Sequence, residues 1–94
     1  MDMQALMKQA QKMQEKMQKE VAELKVEASV GGGMVTVEMG GNRELMSVRI
    51  NPEVIESKDV EMIEDLVRAA VNEANRKIEE ALATKMSGLR VPGL

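Results

Sequence analysis

Polar and apolar residues alternate with two different periods along this 94-residue chain, and the change of period divides it into elements. At roughly 100° per residue, Met3, Leu6, Met7, Ala10, Met13, Met17, Val21 and Leu24 fall within about 120° of arc, which predicts a helix over 3–24. Asp2 stands where an N-cap is wanted. The period then drops to two. Val26, Ala28 and Val30 alternate with Glu27 and Ser29, then Val35, Val37 and Met39 with Thr36 and Glu38, then Met46, Val48 and Ile50 with Ser47 and Arg49. Gly31-Gly32-Gly33 and Gly40-Gly41-Asn42 punctuate the runs. Strands are expected at about 25–30, 34–39 and 45–50, as an antiparallel meander with one buried face. Pro52 ends the sheet.

A second helix is expected from Asp59, its N-cap, to about Met86. Its apolar stripe is Ile63, Leu66, Val67, Ala70, Val71, Ala74, Ile78, Ala81 and Leu82. A loosely held tail at 87–94 follows Ser87-Gly88. The fold class is therefore α+β, an α-β-β-β-α protomer forming one domain over 1–94.

Element lengths add geometry. The first helix is about 33 Å long and the second at least as long, whereas a six-residue strand spans about 20 Å. The sheet cannot cover either helix. Paired antiparallel, their free ends would project together as an arm, with the Met stripe packed as core or helix–helix contact.

Opposite the Met stripe, Lys8, Lys12, Lys16 and Lys19 fall within about 80°. A charged face opposite an apolar one is what any amphipathic helix shows. This one is unusual in being single-signed, with Glu15 the only acid between residues 4 and 19. Like charges at i,i+4 mildly disfavour a helix, and phosphates would compensate them. Net charge is −3, but its distribution is uneven. Residues 4–25 carry five lysines against three acids, 51–67 six acids against Lys58, and 68–94 five bases against three acids. A local basic patch binds what the total charge repels. On the second helix Arg68, Asn72, Asn75 and Arg76 share an outer face, residue types suited to phosphates and base edges.

Composition narrows the chemistry. The chain has no His, Cys or aromatic residue. The commonest general base, thiolate nucleophiles, zinc–thiolate sites and aromatic platforms for single-stranded bases are thereby excluded. A small core without aromatic rings has little stability in reserve, so at least a dimer is expected. The triple glycine lacks the Gly-Lys-Ser/Thr ending of a phosphate-binding loop. Glu61, Glu64 and Asp65 read as an acidic first turn favoured by the helix dipole rather than as a metal or acid–base site. No cofactor, small-molecule substrate or membrane span is expected, and without an export signal the chain reads as cytoplasmic.

Several stretches are familiar together. Leu6-Met7-Lys8-Gln9-Ala10-Gln11-Lys12-Met13-Gln14, Ala28-Ser29-Val30-Gly31-Gly32-Gly33-Met34-Val35-Thr36-Val37 and Ile50-Asn51-Pro52-Glu53 resemble the YbaB/EbfC family. So do Met62 through Ala74 and the ending Pro92-Gly93-Leu94, and the likeness spans essentially the whole chain. The resemblance implies a bacterial nucleoid-associated protein: a homodimer joined through its sheets, with helical arms like tweezers. It implies binding of double-stranded DNA without catalysis, and a role in chromosome organisation or gene regulation. By helix position it places DNA contacts at Lys8, Lys12, Lys16, Lys19, Arg68, Arg76 and Lys77. The competing expectation is a chaperone-like or protein-interaction module that grips apolar segments with Met-rich arms.

Overall fold

The structure, a computed structural model, describes residues 2–87, with side chains through Lys85. The elements run α1 (Met3–Glu23), β1 (Lys25–Val30), β2 (Val35–Gly40), β3 (Leu45–Ile50), α2 (Pro52–Glu56) and α3 (Val60–Ser87). The expected tail lies outside the described residues, Ser87 apart.

Each start has a local cause. Asp2 caps α1, its carboxylate accepting the Gln4 N–H at 3.1 Å. Asp59 caps α3 in the same way, accepting from the Met62 N–H at 3.1 Å. The short helix α2 was not anticipated. Asn51 accepts the Glu53 N–H at 2.9 Å and Pro52 occupies the first turn, where its missing N–H costs nothing. Proline thus ends the sheet and begins a helix at one point.

The sheet order is β1-β2-β3, antiparallel throughout. Val26↔Met39, Ala28↔Val37 and Val30↔Val35 pair across β1 and β2, and Val35↔Ile50 and Val37↔Val48 across β2 and β3. Apolar residues therefore share one face. Gly31, Gly32 and Gly33 all take left-handed φ, from 64° to 94°, so this turn needs three residues without a Cβ. A register shift after Glu38 brings Leu45 opposite Met39.

The core joins Ala28, Val35, Val37 and Met39 of the sheet to Ala70, Ala74 and Ile78 of α3, all buried. Two alanines let the α3 backbone lie close to β1 and β2, and Ile78 is the largest fully buried side chain. Leu66, Val67, Val71 and Leu82 extend the contact. From Leu66 to Leu82 the helix advances about 24 Å, close to the length of a strand. The apolar stripe of α3 is therefore used up on the sheet.

This corrects the expected double arm. With α3 committed to the sheet, α1 is covered only at its base, where Leu24 packs against the core, and none of the described α1 residues is buried. The two helices meet at their bases, where the Lys85 ammonium lies 3.9 Å from the Glu20 carboxylate. Beyond that point α1 overhangs the described end of α3 by about 22 Å, and the molecule measures 67 × 24 × 16 Å. The expectation that the Met stripe is core is corrected for its outer part, where Met3, Leu6, Met7 and Met13 are 48–73% exposed, while Met17, Val21 and Leu24 at the base are half-buried.

The arm is anchored at its base. The Gly41 N–H donates to the Leu24 carbonyl at 2.9 Å. The glycine is buried so tightly under the last turn of α1 that a Cβ there would run into the Val21 carbonyl oxygen.

Candidate nucleic-acid interface

The seven basic residues expected to contact DNA divide into two groups. Lys8, Lys12, Lys16 and Lys19 project from α1, all exposed. Among the described residues none of them lies within salt-bridge distance of a carboxylate. From Lys8 to Lys19 the helix rises about 16 Å, a span of nearly five base pairs of duplex.

The α3 residues are occupied. Arg68 donates to Asp65 at 2.8 Å. Arg76 lies between two acids, its Nε donating to Glu73 at 3.0 Å and its Nη1 to Glu80. The hydrogen bond from Arg76 holds the Glu73 carboxyl below the usual glutamate range, and the Glu73 contact in turn raises the Arg76 pKa. The Lys77 ammonium donates to the Glu27 carbonyl at 2.7 Å, tying α3 to β1. The outer-face Asn75 is also engaged, accepting from Arg43 at 3.1 Å.

Arg43, which the sequence did not single out, is a structural clamp. It takes φ 68° in the β2–β3 turn and reaches Asn75 and Glu79 of α3. Lys25 pairs with Glu38 at 2.9 Å and Arg49 with Glu27 at 3.7 Å. Among the described residues the only cations without such a partner are therefore Lys58 and the four α1 lysines. The α3 pairs have i,i+3 and i,i+4 spacing, a signal already in the sequence. The Lys77 contact crosses between elements and carries no sequence signal.

The charge is separated along the long axis. Glu53, Glu56, Asp59, Glu61, Glu64 and Asp65 follow β3, whose end pairs with the start of β2. They therefore sit at the end of the sheet remote from α1, which enters at the start of β1.

The remaining surface offers little for catalysis. An open groove at the base of the arm is lined by Gln14, Met17, Gln18, Val21, Ala22 and Asn42, with no ionisable side chain. A second is lined by Lys25, Val26, Glu27 and Glu38, and its lysine and Glu38 are paired with each other. Among the described residues no cluster of acids could hold a metal ion, and no helix is long and apolar enough to cross a membrane.

Comparison with known proteins adds an independent line. A model of the YbaB/EbfC DNA-binding family matches residues 1–94. A nucleoid-associated protein of Thermoanaerobacter sp. (strain X514) is 52% identical over 96 residues, covering 95% of this chain and 86% of that protein. A nucleoid-associated protein of Alkaliphilus metalliredigens is 48% identical over 100 residues, covering 99% and 88%. The crystal structure of an uncharacterized protein from Helicobacter pylori superposes with a TM-score of 0.78 at 23% identity, covering 95% of this chain and 97% of that one.

Proposed function

The chain belongs to the YbaB/EbfC DNA-binding family, and from that premise we propose that it is a non-enzymatic bacterial nucleoid-associated protein whose homodimer grips duplex DNA with its α1 arms. The observation that carries this reading is the set of four unpartnered lysines on one overhanging helix, in a molecule where nearly every other described cation is already paired. Lysine side chains on phosphates give affinity and register with little sequence information. Such binding suits chromosome organisation or broad gene regulation in the cytoplasmic nucleoid. Arg68, Arg76 and Lys77 are secondary contacts in this reading, since DNA must first compete with their internal partners.

The dimer is proposed to form through the sheets. Helix α3 packs on β1 and β2, leaving Leu45, Met46 and Val48 of β3 41–55% exposed, and among the described residues the outer backbone edge of β3 has no partner strand. An apolar edge strand of this kind invites pairing with a second chain.

A salt series with labelled duplex DNA tests the function. Two arms bring up to eight lysines, so log Kd should change with log salt with a slope approaching about seven if all engage. Lys8→Glu, Lys12→Glu and Lys16→Glu together should abolish binding and leave the dimer intact. Salt-independent affinity, or full affinity in the triple variant, would refute the proposal. The exposed Met3, Leu6, Met7 and Met13 favour a second reading, capture of apolar protein segments. That reading predicts suppression of client aggregation that survives the lysine changes and is lost when Met3, Met7 and Met13 become Ser.

A further inference from the structure

The turn between β2 and β3, residues 41–44, touches both long helices. On one side the Gly41 N–H donates to the Leu24 carbonyl at 2.9 Å, and Asn42 lines a groove with Gln14, Gln18 and Val21 of α1. On the other side Nη1 of Arg43 donates to the Asn75 carbonyl at 3.4 Å and to the Asn75 side-chain oxygen at 3.1 Å, and Nη2 stands 3.5 Å from the Glu79 carboxylate. Among the described residues no other hydrogen bond or ion pair joins this turn to α3. We infer that Arg43 is a positioning residue for DNA binding. It fixes the turn on α3, and through Gly41 the turn sets the angle at which α1 presents Lys8, Lys12, Lys16 and Lys19. The inference rests on the DNA-binding reading above.

The backbone gives the side chain its weight. Arg43 takes φ 68°, in the left-handed region that a Cβ disfavours. In the turn between β1 and β2 the three residues with such a φ are all glycine. The turn at 41–44 closes without help from a side chain at 43. The Arg43 N–H donates to the Gly40 carbonyl at 2.9 Å, the Gly40 N–H to the Glu44 carbonyl at 2.8 Å, and the Glu44 N–H to the Asn42 side-chain oxygen at 3.3 Å. Glycine would make the same turn with less strain. What arginine adds is reach, because its rigid fork can hold acceptors on two turns of α3 together. A strained residue held by its surroundings points to a use for its side chain.

That use is geometric. The Arg43 and Glu79 side chains are 42% and 67% exposed, and an ion pair so open to water adds little to stability. Its leverage on the arm is large, since Lys8 lies about 20 Å along α1 from Val21, whose carbonyl rests against Gly41. Lysine rows held at a fixed angle meet several phosphates at once. A loosened arm must be ordered on binding, which lowers affinity while every phosphate contact is kept. The number of contacts sets the salt slope, so the slope separates a positioning residue from a residue that touches DNA.

Arg43→Gly is the test, because it removes the fork and relieves the backbone. Its Tm should stay within a few degrees of the parent, strain relief being offset by the extra freedom of glycine in the unfolded chain. The chain has no cysteine, so spin labels attach only at Gln11→Cys on α1 and Asn72→Cys on α3. Labelled chains are diluted in excess unlabelled chain, and pulsed electron resonance without DNA then reads the distance within one chain. The distribution should be narrow with Arg43 in place and several ångströms broader, or shifted, in Arg43→Gly. Duplex DNA affinity should fall about five-fold or more with the salt slope unchanged. Asn75→Ala should weaken binding in the parent and change nothing further in Arg43→Gly, since the two residues act as one contact.

An unchanged distance distribution in Arg43→Gly would overturn the inference. So would a salt slope lower by about two for a dimer, which would make Arg43 a phosphate contact. So would additive losses from Arg43→Gly and Asn75→Ala, or a Tm lower by ten degrees, which would make Arg43 a support of the fold. If the unsubstituted protein fails to bind DNA in the salt series, the functional proposal falls and the DNA role of Arg43 falls with it. If the unsubstituted protein binds and Arg43→Gly binds equally well, only the positioning inference falls.

Discussion

Gly41→Ala is the most telling single change outside the lysines. The Gly41 N–H donates to the Leu24 carbonyl, and a Cβ added there would overlap the Val21 carbonyl oxygen and stand 3.0 Å from the Leu24 Cβ. The obstruction is backbone, not the end of a flexible side chain, so the helix terminus must move by about 1 Å. Overpacking of this kind costs about 1–3 kcal/mol, and weakening the hydrogen bond adds about 0.5–1.5 kcal/mol. The expected loss is about 2–4 kcal/mol, which for a chain of this size lowers Tm by about 10–20 °C. Thermal melting followed by circular dichroism at 222 nm measures it, at fixed protein concentration because any self-association makes Tm depend on it. Gly32→Ala is the control. Its added Cβ meets open space, but φ is 69°, so it should lose only about 1 kcal/mol through backbone strain. If Gly41→Ala melts within a degree or two of the parent, or no lower than Gly32→Ala, the junction between arm and sheet is not the tight fit described.

Other outcomes follow from the same contacts. Asp65→Asn releases Arg68 and removes a negative charge, so DNA affinity at low salt should rise a few-fold; unchanged affinity would separate Arg68 from the interface. The Glu73 carboxyl should titrate below an ordinary glutamate by NMR and return toward it in Arg76→Gln. Because the folded-state pKa is depressed, the stabilisation this pair provides is present above the unfolded glutamate pKa. It fades as pH falls through the folded value, so Arg76→Gln should flatten that limb of the acid profile. Val48→Asp places a charge on the uncovered part of the sheet, and sedimentation should report monomers with α1 and α3 still helical. A dimer that survives this change would move the interface away from β3.

Much of the architecture was written in local patterns. Period-two alternation with glycine breaks located all three strands to within a residue, and Asp2 and Asp59 marked their helices because an N-cap is a short-range interaction. Helix α2 escaped notice because Asn51-Pro52 serves equally as a strand stop and a helix start. The partner of the Met stripe was misjudged for a different reason. Both helices have an apolar face, and only the three-dimensional competition for one small sheet decides that α3 takes most of it and that only the base of α1 reaches it. The basic residues show the same division. The one-signed stripe of α1 was legible, and so in principle were the Asp65–Arg68 and Glu73–Arg76–Glu80 pairings. The Lys77 contact to the Glu27 carbonyl was not, because it depends on how α3 lies across β1.

Anchorage at its base alone makes α1 a cantilever. Its support is the last turns of the helix, seated on Gly41 and touched by Lys85 at Glu20, and its free length beyond α3 is about 22 Å. A tilt of about 10° at the support moves the tip by about 4 Å, roughly the rise of one base pair. A small adjustment at the seat therefore grows along the helix, from under about 1 Å at Lys19 to about 3 Å at Lys8. A stiff rod on a narrow fulcrum can follow the changing width and curvature of a duplex without unfolding any part of itself. In such a lever, where the four lysines stand relative to the sheet would be set at Gly41.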